Sequence, residues 1–262
     1  MKLLAFDTST DRLSVAVTDG VRVWQHSGPG GALASTTLIP TILSLLAEAG
    51  LALSALDAIV FGCGPGSFTG LRTACSVAQG LAFGAKNGVG IAVLPVNTLM
   101  AVAEEARFQQ GDALASKAQP LRITALLDAR MDEMYGQSFE FDGAQCHALQ
   151  TCRLIRPEDL QPEPSAQYLA GNVFGVYAAR LPAALAGLIC IEAFPTASAL
   201  LRLAPALIAG GGAVDAALAL PLYVRHKVAQ TTDERAQIKA QAAMAAESSS
   251  LPSSPSSLSR SN

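Results

Sequence analysis

Leu3-Leu4-Ala5-Phe6-Asp7-Thr8-Ser9-Thr10-Asp11-Arg12-Leu13-Ser14-Val15-Ala16-Val17 is the stretch that decides the fold. An apolar run ends on a carboxylate, turns through short polar residues and re-enters an apolar, partly β-branched run. That pattern reads as two strands joined by a tight turn whose Asp and Ser side chains bond the local backbone. It returns at Leu126-Leu127-Asp128, followed by Asp132 and a strand-like run from Met134 to Phe139. Both copies hold their carboxylates four residues apart, and the copies are offset by 121 residues. Such a repeat makes the second half a smaller copy of the first, with the cleft between them as the natural ligand site.

Outward from the first copy, Val21 to Trp24 reads as a third strand after the turn Asp19-Gly20. A helix is expected from Thr36 to Ala49, with Ser35 as N-cap, Pro40 near the first turn and Gly50 as its stop. Ala58 to Phe61 is a fully apolar strand, a helix follows Phe68 to about Phe83, Ile91 to Leu94 is another strand, and a helix starts at Asn97. The order βββαβαβα is that of an α/β lobe. The expected organisation is a first lobe over residues 1–110 and a smaller lobe over 111–230, with Gly210-Gly211-Gly212 as a flexible break. The spacing Thr231-Thr232-Asp233-Glu234 is a capping box and predicts a terminal helix over 231–246. The Ser- and Pro-rich residues 247–262 read as a disordered tail.

Half of the 262 residues are apolar, enough for a large core, and 18 basic residues stand against 21 acidic ones. Nucleic-acid binders show a basic field, so this chain is not expected to grip RNA alone. Five cysteines without a CxxC pair read as free thiols in a reducing compartment. The N-terminal apolar run meets Asp7 too early to be a signal-peptide core, and Ala183 to Phe194 is interrupted by Glu192 and shorter than the ~20 residues of a membrane helix. The expectation is a cytoplasmic protein without a membrane segment.

Phe61-Gly62-Cys63-Gly64-Pro65-Gly66-Ser67-Phe68-Thr69-Gly70-Leu71-Arg72 leaves a strand and opens a helix. Glycines there allow close backbone approach, and free N–H groups at a helix start attract anions, so a phosphate site is conceivable. The segment is not a P-loop, since no Gly-Lys-Ser/Thr follows, and it lacks the Gly-x-Gly-x-x-Gly spacing. Ser67 reads as an N-cap or loop hydroxyl rather than a nucleophile.

The string Gly64-Pro65-Gly66-Ser67-Phe68-Thr69-Gly70-Leu71-Arg72 resembles the TsaB family. So do Asp7-Thr8-Ser9-Thr10, Ala78-Gln79-Gly80-Leu81-Ala82, Asp128-Ala129-Arg130-Met131-Asp132-Glu133 and Pro221-Leu222-Tyr223-Val224-Arg225. These motifs span roughly residues 1 to 230; the first is highly specific, the others individually weak. The resemblance implies a two-lobed α/β fold similar to actin, sugar kinases and the Hsp70 ATPase, with duplicated βββαβαβα-type lobes and the second reduced. It also implies a non-catalytic partner of a TsaD-like transferase, which places threonylcarbamoyl on the adenosine beside the tRNA anticodon. A TsaE-like ATPase would join the complex, tRNA would be met only through it, and the chain alone would form a homodimer.

Two alternatives of other classes stay open: an ATP-dependent phosphotransferase or ATPase of the same fold, and a glycoprotease-like metallopeptidase. A helical metal pair wants two His one turn apart, whereas His26, His147 and His226 are far apart in sequence. No metal site and no catalytic residue are predicted. Asp7, Thr8, Ser9 and Asp11 could face a nucleotide phosphate or merely bond their own turn. No Lys stands beside them, so a nucleotide is expected only in a complex.

Gly66, Gly70, Ala74, Ala78 and Ala82 recur every four residues along the helix behind the Gly-rich turn, a stripe that lets another helix come close. The first helix has one apolar row of Leu38, Ile42, Leu45 and Ala49 and another of Ile39, Leu43 and Leu46. Two arrangements follow. Either these helices, with Leu38, Ile42, Leu45, Arg72 and the stripe, form the partner surface, or both faces are buried inside the chain.

Overall fold

The computed structural model describes residues 1–88, 90–111 and 120–225. Residues 1–224 form one compact unit. The expected terminal helix over 231–246, the tail over 247–262 and His226 lie outside the described residues.

The first sheet has the order β3-β2-β1-β4-β5, from β1 (Leu3–Asp7), β2 (Arg12–Thr18), β3 (Val23–Pro29), β4 (Ala58–Gly64) and β5 (Ala92–Asn97). β1 runs antiparallel to β2 and parallel to β4, with Asp7 opposite Ser14. The second sheet joins β6 (Leu121–Arg130), β7 (Glu133–Asp142), β8 (Gln145–Ala148), β10 (Tyr168–Gly171) and β11 (Ile189–Glu192) in the order β11-β10-β6-β7-β8, with β9 (Arg153–Ile155) on β7. Read from β8, it repeats the first sheet strand for strand: β6 is antiparallel to β7 and parallel to β10. The Asp7 and Asp128 repeat is therefore a structural duplication.

Helices α1 (Ala34–Glu48) and α2 (Phe68–Gly84) cover one face of the first sheet, where Leu38, Ile42, Ala74 and Ala78 pack on Phe6, Val15 and Phe61. Its other face receives α5 (Ala197–Ala209), through Leu200 and Leu203. Helix α3 (Thr98–Gln110), capped by Asn97, packs Leu99, Val102 and Ala106 on Ile123 and Phe139 of the second sheet. In the second lobe the counterpart of α2, between β10 and β11, is the single turn α4 (Phe174–Tyr177), so that lobe is the reduced one.

Several local expectations are revised. β3 starts at Val23, because Asp19 Oδ1 accepts from the N–H groups of Val21 and Arg22 and holds Val21 in the turn. Ser35 does not cap α1: the helix grows from a 3-10 turn at Gly31–Leu33, and the Ser35 hydroxyl donates to the Ala32 carbonyl. Pro40 lies in the second turn of α1, exposed. Gly210–Gly212 is an ordered helix end, with Gly211 N–H bonding Ile208 and Gly212 N–H bonding Leu207, as in a Schellman motif. Residues from 197 to 224 also leave the second sheet: α5 lies on the first, Val214 pairs with Val93, and Ala216 and Ala219 enter the core under α1 and α2. The apolar stretch Gly31–Glu48 is long enough by composition to cross a bilayer; here its buried side lies on the sheet.

Candidate functional site

The β1–β2 turn and the Gly-rich loop are fastened to each other. Asp7 is fully buried, and its Oδ1 accepts from Ser9 N–H (2.9 Å) and Ser9 Oγ (2.7 Å). The Thr8 hydroxyl donates to the Gly70 carbonyl at 2.7 Å, and Ser67 N–H donates to the Ser9 carbonyl at 2.7 Å. Ser67 caps α2, accepting from Gly70 N–H. The glycines make this contact possible. A Cβ on Gly62 would fall 1.8 Å from Asp7 Oδ2, one on Gly66 2.6 Å from Ser9, and one on Gly70 1.8 Å from the Thr8 carbonyl oxygen. The loop that suggested a phosphate cradle is filled by the chain's own hairpin.

Asp7 Oδ2 is buried with no hydrogen-bond partner among the described residues. Burial pushes its carboxyl up to about 6, against the opposing pull of the Ser9 bonds. The folded protein therefore binds a proton more tightly than the unfolded chain, and stability is lost as pH rises from the ordinary carboxylate range through about 6. A rise of that size corresponds to about 3 kcal/mol. Asp7→Asn keeps the acceptor for Ser9 and removes the titration. It is expected to unfold at higher urea than wild type at pH 7.5, with the gap closing at pH 4.5; a pH-independent difference would contradict this.

Between the hairpin turns of the two lobes lies a cleft of about 370 Å³, lined by Ser9, Asp11, Ser67, Asp128, Arg130 and Asn172 among others. Of the four candidate nucleotide residues, Asp7, Thr8 and Ser9 are buried and bonded to the turn or to Gly70, and Asp11 is exposed. Asp128 Oδ1 accepts from Tyr177 Oη (3.0 Å) and Arg130 N–H (2.8 Å), and its Oδ2 meets Arg130 Nη1 at 3.3 Å. Asp7 Oδ1 and both oxygens of Asp128 are thus engaged by the protein's own groups, while Asp7 Oδ2 lies sealed against Gly62. Among the described residues no group of three or more His, Cys, Asp or Glu is placed around a common point, and His26 and His147 lie on β3 and β8 of different sheets.

The partner-surface candidates divide. Leu38, Ile42, Leu45, Gly70, Ala74, Ala78 and Ala82 are buried in this chain's own core, so they cannot be the contact face. The small residues are where α2 approaches the hairpin and β4, which is why they lack bulk. Gly66 is half-buried and Arg72 exposed. Of the second row on α1, Ile39 (44 % exposed) and Leu43 (55 %) face outward, whereas Leu46 is buried.

Sequence reasoning missed what gathers around Arg72. Its guanidinium lies 3.9 Å from the Phe68 ring centre, its Nε donates to Tyr223 Oη at 3.1 Å, and the two rings are 5.3 Å apart. Tyr223 ends a strap along α2, held by Leu222 N–H on the Cys63 carbonyl (2.7 Å) and by Cys75 Sγ and Gln79 Nε2 on the Ala219 carbonyl. The strap leaves Leu218, Leu220 and Leu222 exposed. The alternation Leu218-Ala219-Leu220-Pro221-Leu222 was its period-2 signal.

The family model of TsaD, tRNA N6-adenosine threonylcarbamoyltransferase, matches residues 33–250. The chain is 30 % identical over 237 residues to the tRNA threonylcarbamoyladenosine biosynthesis protein TsaB of Escherichia coli, covering 87 % of this chain and 96 % of the relative. It is 38 % identical over 135 residues to the protein of the same name from Haemophilus influenzae, about half of each chain. The solved structure of YeaZ from Pseudomonas aeruginosa is similar with a TM-score of 0.74 and 38 % identity, over 85 % of this chain and 99 % of that one.

Proposed function

The chain belongs to the TsaB family, and from that premise we propose that it works in tRNA threonylcarbamoyladenosine biosynthesis as a non-catalytic subunit that binds and activates a TsaD-like transferase. The observation that carries the partner role is the outward row of Ile39 and Leu43 on α1, a helix whose opposite row is fully used by the core. A surface helix needs one apolar face, and α1 has two. Ile39 and Leu43 alone are too small for a standard interface of ~800 Å² per partner, so the footprint extends over the outward side of α2. Without the transferase, a second copy of this chain would use the same face, so homodimer and heterodimer compete. The acidic balance leaves tRNA contact to the complex, a TsaE-like ATPase would join there, and any nucleotide is bound only in that assembly. The setting is cytoplasmic.

Depletion of the protein in its own organism tests this reading. Threonylcarbamoyladenosine in bulk tRNA is expected to fall, to recover with the wild-type chain, and to stay low with Ile39→Asp/Leu43→Asp. The double variant should fold normally, because both side chains are outside the core, yet fail to co-purify with the transferase. Unchanged nucleoside levels on depletion would overturn the proposal.

A further inference from the structure

Helices α1 and α2 carry one acid, Glu48, and one base, Arg72. Arg107, Arg122, Arg130, Arg180 and Arg202 each meet a carboxylate. Arg72 instead meets the Phe68 ring and the Tyr223 phenol, and no carboxylate among the described residues. Phe68 comes from the first turn of α2 and Tyr223 from the strap, 151 residues from Arg72 in sequence. The chain thus brings two distant segments together to hold one exposed cation on a surface where α1 and α2 supply no other base.

With Nε on Tyr223 and the plane against Phe68, the Nη groups are the guanidinium's remaining donors. A guanidinium held this way loses little freedom on binding and suits a carboxylate in two-point contact. Docking on this face would strip its water, which is tolerated when the partner brings an opposite charge. An RNA backbone would need several cations in a row, and the two helices supply one. We propose that Arg72 is the charge-reading anchor of the partner face and takes an Asp or Glu carboxylate of the transferase, with Phe68 and Tyr223 as its positioning residues. This rests on the proposed function and adds the chemistry of the partner group.

The test is a calorimetric titration of the full chain with the purified transferase across a range of salt. Wild type should bind with an affinity that falls with salt. Arg72→Glu should weaken it ~100-fold, and Arg72→Gln less, with a flatter salt dependence. Tyr223→Phe, which frees the guanidinium without removing charge, should weaken binding several-fold and keep the salt slope. Acid-to-Arg substitutions on the transferase should include one that restores binding to Arg72→Glu. Wild-type affinity in Arg72→Glu, with binding abolished by Ile39→Asp/Leu43→Asp, would overturn this inference and leave the partner role standing. No binding by wild type would overturn both. Intact protein association with loss of tRNA from the complex in Arg72→Glu would assign the anion to RNA and overturn it as well.

Discussion

Gly70→Ala is expected to destabilise the protein by about 3 kcal/mol or more, although the same exchange in a helix is ordinarily favourable by roughly 1 kcal/mol. Gly70 is in the first turn of α2, and the added Cβ would lie 1.8 Å from the Thr8 carbonyl oxygen and 2.9 Å from its carbon. Neither backbone can retreat. Ser67 N–H is bonded to the Ser9 carbonyl and the Thr8 hydroxyl to the Gly70 carbonyl, so the helix start and the hairpin are locked from both sides. The control is Gly80→Ala on the same helix, where nothing lies within 4 Å of the new atom and the helical preference acts alone. Urea unfolding should show the two variants moving in opposite directions. A Gly70→Ala protein as stable as wild type would mean that the turn is not locked in this way.

Glu104→Ala is the second large effect, expected at about 3 kcal/mol, the range for breaking a buried ion pair. Glu104 is 2 % exposed and accepts from Arg107 Nε (2.7 Å) and Nη2 (3.1 Å) on its own helix and from Arg202 Nε (2.7 Å) on α5. Arg202 also donates to Glu105, which accepts from the Thr196 hydroxyl. The cluster joins α3, which carries the second sheet, to α5, which lies on the first. Loss of Glu104 strands the Arg107 guanidinium and leaves Arg202 with Glu105 alone, whereas replacing Glu104 and Arg202 together by apolar residues should recover part of the loss. The measurement is a double-mutant cycle in denaturant. A double variant whose loss equals the sum of the two single losses would show that no coupling exists.

The duplication was legible because strand periodicity and turn chemistry are local: Asp7 at the end of β1 and Asp128 two residues from the end of β6 stand there for reasons written within a few residues of each. The cap role of Ser67 and the helix start at Asn97 were equally local. The stripe Gly66, Gly70, Ala74, Ala78 and Ala82 was legible as a close approach, but not which body approaches. A small-residue face is the same in sequence whether a partner helix or the chain's own hairpin fills it. The two apolar rows of α1 posed the same ambiguity, and only the direction in which α1 lies on the sheet makes Leu38 core and Leu43 surface.

By itself, then, the sequence determined the βββαβαβα order, the repeat and the motifs of the family, because these depend on neighbours along the chain. The tertiary structure decided that Asp7 is sealed beneath Gly62, that the chain returns from the second lobe to the first, and that Tyr223 reaches Arg72. Each of these is a contact between segments 55 or more residues apart, set by how two duplicated sheets and a shared α3 close on one another, and no local periodicity encodes it.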